Sequence, residues 1–97
     1  ILSEFQPVSR DFAFIVDDAV PAGEIVKVTQ AVDRALISDI TVFDVYRGTG
    51  VPEGKTSIAI AVTLQPMEKT LTDSEIDAVS ARIVADVAAK TGAVLRS

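Results

Sequence analysis

Three stretches of this 97-residue chain carry residue types that can do chemistry. The first is Gly54-Lys55-Thr56, which invites a phosphate-cradling reading. A phosphate loop needs a glycine five positions ahead of its Gly-Lys pair, and Thr49 stands there, with Gly48 and Gly50 missing on either side. Such a loop also feeds a helix, whereas Ser57 to Leu64 alternates as a strand. The same glycines miss a dinucleotide fingerprint by one position, because Glu53 occupies the place of its third glycine. The stretch reads as a hairpin loop. The second is Asp17-Asp18, a candidate for paired-carboxylate or magnesium chemistry. Adjacent strand residues point apart, so this pair reads instead as a solvated turn. Asp73, Glu75 and Asp77 read as complements to a helix dipole.

The third stretch is centred on Tyr46. A tyrosine on a sheet face either packs half-buried or offers its ring as a platform for an unpaired base. Asp44, two residues earlier on the same face, can accept from the N–H groups of a guanine Watson–Crick edge. Ser57 can donate or accept, and Arg96 can pair with phosphate or stack on a base. Arg10, Arg47 and Lys55 fall near strand ends and offer local positive charge. The alternative for each charged residue is a solvent-facing position. There is no cysteine and no histidine, which removes thiol and histidine triads and nearly all transition-metal chemistry.

These residues need elements to hold them. Ile1 to Ser9 is expected to be a lead-in from a larger parent chain, consistent with a first residue that is not methionine. Phe12, Phe14 and Val16 alternate with Asp11, Ala13 and Ile15, predicting a half-buried strand. Pro21 is tolerated in the first turn of a helix whose buried stripe is Ile25, Val28, Val32 and Ala35/Leu36, with a stop near Ile37-Ser38-Asp39. Thr41 to Tyr46 predicts a second strand, with Thr41, Phe43 and Val45 inward. Across the glycine-rich loop Gly48 to Gly54, Ile58, Ile60, Val62 and Leu64 give a third, ended by Gln65-Pro66-Met67. Thr72-Asp73-Ser74-Glu75 is a capping box opening a helix with Ile76, Val79, Ile83 and Val87 on one face. Gly92 closes that helix, and Ala93 to Arg96 forms a last short strand.

The order β-α-β-β-α-β predicts one α+β domain over residues 1–97, a ferredoxin-like two-layer sandwich with a four-stranded antiparallel sheet. Right-handed crossovers put both helices on one face. By strand parity the other face carries Asp11, Ala13, Ile15, Val42, Asp44, Tyr46, Ser57, Ala59, Ala61, Thr63, Val94 and Arg96. Nine basic residues against fourteen acidic ones give a net charge of −5, which argues against a protein that holds nucleic acid mainly by neutralising phosphate and leaves room for a small, locally basic site. No apolar run approaches the roughly 20 residues of a membrane span. The simplest compartment is the cytoplasm.

Several blocks together resemble a known family. They are Val8-Ser9-Arg10-Asp11-Phe12-Ala13-Phe14, Phe43-Asp44-Val45-Tyr46-Arg47-Gly48, Val51-Pro52-Glu53-Gly54-Lys55-Thr56-Ser57-Ile58-Ala59, Thr70-Leu71-Thr72-Asp73 and Gly92-Ala93-Val94-Leu95-Arg96. In this order and spacing they resemble the ferredoxin-fold anticodon-binding domain at the C-terminus of bacterial phenylalanyl-tRNA synthetase beta subunits. The resemblance runs from about Pro7 to Arg96. It implies a non-catalytic module of a ligase that packs its open sheet face on the anticodon stem-loop of phenylalanine tRNA. Positions matching Ala13, Asp44, Tyr46, Ser57 and Arg96 would approach the anticodon bases. It further implies no cofactor in this domain, ATP and magnesium used elsewhere in the parent, and a heterotetramer with alpha subunits and a second beta subunit. Two rival readings share the topology: a small regulatory domain binding amino acids near Gly23, and a protein-docking module suited to the acidic balance.

Overall fold

The computed structural model describes residues 6–66 and 70–96. Its elements are β1 (Val8–Asp17), α1 (Ala22–Val32), β2 (Ile37–Tyr46), β3 (Lys55–Leu64), α2 (Asp73–Thr91) and β4 (Val94–Leu95). The strands form one sheet in the order β2-β3-β1-β4, antiparallel throughout, which is the ferredoxin-like α+β arrangement. Val8 and Ser9, expected in the lead-in, are already strand. Met67, expected in the segment ending β3, lies outside the described residues.

The core follows the period-two pattern of the central strands. Phe12, Phe14 and Val16 of β1 and Ile58, Ile60, Val62 and Leu64 of β3 are buried in one cluster with Ile25, Val28 and Val32 of α1 and Ile76, Ile83 and Val87 of α2. Both helices therefore cover the same face. Ile60 is fully buried while its neighbour Ala59 stays partly open, so the register is the one the alternation specifies. Helix α2 begins with the expected capping box: the Thr72 hydroxyl accepts from the Glu75 N–H, and the Glu75 carboxylate accepts from the Thr72 N–H. It ends at Gly92, whose φ of +76° suits a residue without a Cβ.

Three expectations need correction. Helix α1 stops at Val32 instead of running on to Ile37. Asp33 is extended at φ −156°, and its carboxylate accepts from the Leu36 N–H, offering the backbone a turn in place of another helical residue. Leu36 is half-buried beyond the helix, Ala35 is exposed, and β2 begins four residues earlier than expected. In β2 the register shifts between Val42 and Asp44, where Phe43 is an extra residue. A bulge of this kind inverts the parity upstream of it. Val42 therefore sits opposite Ile60 on the helix side, and Thr41 sits opposite Ala61 on the open side. Phe43, expected inward, is the bulged residue and is more than half exposed. Val45 keeps the expected helix side opposite Ile58 but is also more than half exposed on this edge strand. Finally, β4 is only Val94–Leu95, with Ala93 already in the core and the Arg96 N–H donating to the Ala13 carbonyl at 2.6 Å.

Candidate nucleic-acid interface

The register brings the open-face side chains into rows across the sheet. One row runs Tyr46, Ser57, Ile15, Val94, and the next runs Asp44, Ala59, Ala13, with Arg96 tied to Ala13 through its backbone. Same-face neighbours along a strand are two residues apart, about 7 Å, and adjacent strands are about 4.8 Å apart. Ala13, Asp44, Tyr46, Ser57 and Arg96 thus share one patch, floored by Ala13 and Ala59. Small side chains in the middle with larger polar ones around them leave room for a flat group.

Two contacts order this patch. The Arg96 guanidinium donates from Nη1 to Ser57 Oγ at 3.2 Å, and Ser57 is only 4% exposed. The Tyr46 hydroxyl donates to the Thr49 carbonyl at 3.0 Å, so the ring is fixed at both ends while 38% of the residue remains exposed. Both contacts meet the Gly48-Thr49-Gly50 turn. A Cβ at Gly48, where φ is +135°, would lie 3.2 Å from the Tyr46 hydroxyl, and one at Gly50 would lie 3.5 Å from Arg96 Nη2. The turn needs glycine for its backbone, and the close approach of Tyr46 needs it again at position 48.

The remaining cations are placed differently. Arg10 faces Val62 across the sheet, which puts it on the helix side, away from Tyr46. Lys55 pairs with Asp17. Arg47 donates from Nε to Asp18 Oδ1 at 3.2 Å and to Thr56 Oγ1 at 3.0 Å, while Thr56 itself donates to the same Asp18 oxygen. Held first by the Thr56 hydroxyl and then by the Arg47 and Lys55 charges, against an opposing desolvation effect, the Asp18 carboxyl lies below its ordinary value of 3.8. These exposed pairs add little stability, so their consequence is positional. Asp17-Asp18 is therefore more than a solvated turn. Sequence reading missed the network because Thr56 stands 38 residues from Asp18. The glycines flanking Thr49, just after Tyr46, were the available signal for the turn.

Among the described residues, no group of three or more His, Cys, Asp or Glu can hold a metal ion, and no helix is long and apolar enough to cross a membrane. A four-stranded antiparallel sheet with both helices on one face and the other face uncovered defines a ferredoxin-like α+β fold. The ferredoxin-fold anticodon binding domain family matches residues 3–96, and the chain belongs to that family. It is 65% identical over 96 residues to the phenylalanine–tRNA ligase beta subunit of Bradyrhizobium diazoefficiens, covering 99% of this chain. It is 60% identical over 95 residues to that of Rhodopseudomonas palustris (98% of this chain) and 52% over 96 residues to that of Rhodospirillum rubrum (99%). The chain spans about 12% of the length of each of these relatives.

Proposed function

We propose that this chain is a single domain that recognises the anticodon stem-loop of phenylalanine tRNA through its open sheet face. It does so as part of a phenylalanine–tRNA ligase beta subunit and has no catalytic role of its own. The observation that carries this reading is the convergence of Tyr46, Ser57, Asp44 and Arg96 around the small floor of Ala13 and Ala59. Tyr46 offers a ring already held by its hydroxyl, so little rotamer freedom is lost when a base stacks on it. Asp44 is exposed and one row away, free to accept from a base edge. Arg96 reaches the centre of the patch from the far edge strand and supplies positive charge there. In this reading ATP, magnesium and the aminoacylation chemistry belong to the rest of a cytoplasmic heterotetramer, built with alpha subunits and a second beta subunit.

The test is Tyr46→Ala in the full-length ligase. Loss of a stacking ring is worth about 1–3 kcal/mol, which is roughly 5- to 150-fold in the tRNA-dependent step. Phenylalanine activation by ATP, followed as pyrophosphate exchange, is expected to stay unchanged. Tyr46→Phe keeps the ring but loses the hydroxyl's bond to the Thr49 carbonyl, and a melting curve for each variant controls for a folding defect. Aminoacylation at the wild-type rate by Tyr46→Ala would remove the stacking role.

A further inference from the structure

Arg47 and Lys55 border the open face but are engaged with Asp18 and Asp17. The hollow beside them, about 360 Å³ and walled by Asp18, Arg47, Glu53, Gly54 and Lys55, carries as much negative as positive charge and makes no anion site. What these contacts do accomplish is to hold the β2–β3 loop. Asp18 receives both the Arg47 guanidinium and the Thr56 hydroxyl on one oxygen, and its backbone N–H donates to the Gly54 carbonyl at 3.0 Å. Within the loop, the Lys55 N–H donates to the Pro52 carbonyl and the Val51 N–H to the Gly48 carbonyl. Next to Gly48 lies Thr49, whose carbonyl receives the Tyr46 hydroxyl. A continuous path of hydrogen bonds and short chain segments thus runs from the end of β1 to the ring.

We propose that Asp18, Thr56 and Arg47 are positioning residues for Tyr46: they lock the 47–54 loop so that Thr49 holds the ring on the open face. Arg47 thereby works as a structural clamp and makes no phosphate contact. The consequence for RNA rests on the anticodon-recognition reading above, whereas the lock itself does not.

The two roles of Asp18 predict opposite signs. Were Arg47 a phosphate contact, Asp18→Asn would remove a competing negative charge and tighten tRNA binding. As a clamp, the same change loosens the loop and weakens it. The experiment uses the full-length ligase with a fluorotyrosine installed at position 46. Its fluorine NMR signal is expected to shift or broaden in Asp18→Asn and Thr56→Val, and to stay put in Thr56→Ser, which keeps the hydroxyl, and in Arg10→Ala. A signal unmoved by Asp18→Asn and Thr56→Val overturns the lock. In aminoacylation, both variants are expected to raise the KM for tRNA several-fold with pyrophosphate exchange intact. In a Tyr46→Ala background they are expected to add almost nothing, because the ring they position is gone. Tighter tRNA binding by Asp18→Asn, or a loss that persists in full without the ring, overturns the inference. Should Tyr46→Ala alone leave the tRNA KM unchanged, the anticodon reading fails, and the fluorine signal still decides the lock.

Discussion

Arg96 and Ser57 are 39 residues apart in the chain and meet at 3.2 Å, the guanidinium donating to the hydroxyl. They belong to β4's edge and to β3, and β1 lies between those strands. The Arg96 side chain therefore has to cross β1 on the open face, and it enters beside Ala13, to whose carbonyl its own N–H is bonded. A methyl group at position 13 leaves that path open. This bond uses one N–H of Arg96 Nη1 and one lone pair of Ser57 Oγ, so the guanidinium keeps other N–H groups with which to meet a base or a phosphate.

Ala13→Leu tests the path. The isobutyl group would stand on the open face where the arginine crosses, and the floor of the patch would rise with it. Since position 13 is half-buried and outside the core, folding is expected to change by less than about 1 kcal/mol. The tRNA KM is expected to rise at least as much as in Arg96→Ala, because the bulk blocks both the arginine and the base. A wild-type KM in Ala13→Leu would mean that nothing flat lies over β1.

Thr29 offers a test of the core. It is fully buried in α1, and its hydroxyl has no hydrogen-bond partner. Thr29→Val replaces the hydroxyl with a methyl of similar size and removes a desolvation cost of about 1–3 kcal/mol. For a domain of this length about 1 kcal/mol corresponds to roughly 4–8 °C in Tm. The variant is expected to melt higher than the wild-type 97-residue chain, and a lower Tm would show that the hydroxyl has a partner in solution.

The fold was legible where one period dominates. Phe12, Phe14 and Val16 and Ile58, Ile60, Val62 and Leu64 put the bulky apolar residues on one parity, Ile15 being the exception among smaller or polar neighbours on the other. A slip of one residue would expose the whole set, so the register is strongly specified. Strand β2 was not legible in this way. Thr41 to Tyr46 contains apolar residues on both parities, and the bulge at Phe43 selects between them through pairing with β3, a long-range fact. Asp44 and Tyr46 were still assigned correctly because they lie after the bulge. Val42 was not, because it lies before it. The residues proposed for the site were chosen from residue type and resemblance, and the register places them on one face; the contacts among Asp18, Thr56 and Arg47 needed distant segments to meet.

Acid pH should report on that clamp. The Asp18 carboxyl has a folded-state value lowered from 3.8, chiefly by the Thr56 hydrogen bond. A depressed carboxyl contributes stability that is present above its unfolded value and is lost as pH falls through its folded one. The contribution therefore begins to fall away below about pH 4 and is gone once the pH is under the folded-state value. Wild type and Asp18→Asn, compared by melting from neutral pH downward, are expected to differ most at neutral pH and to converge in acid. A constant difference across the range would mean that Asp18 is not the titrating partner of Thr56.

Salt dependence separates recognition of bases from neutralisation of phosphates. The open face carries the carboxylates of Asp11, Asp17, Asp39 and Asp44, and Lys55 there is already paired with Asp17. Among the described residues of that face, Arg96 is the cation whose bonded partner, Ser57, is neutral. Each phosphate neutralised adds about 0.7–0.9 to the slope of log affinity against log salt. One such contact gives a slope near about −1, whereas six to ten contacts would give one several-fold steeper. The isolated chain is accordingly expected to bind an anticodon stem-loop weakly, with affinity falling only a few-fold between about 50 and 200 mM salt. The acidic whole, at a net charge of −5, adds a long-range repulsion that salt screens, which flattens the dependence further. Base substitutions in the loop should then matter more than ionic strength. A slope steeper than about −3 would require Arg47 and Lys55 to leave their carboxylates for the RNA backbone. That result would contradict both the shallow dependence and the assignment of Arg47 to the loop.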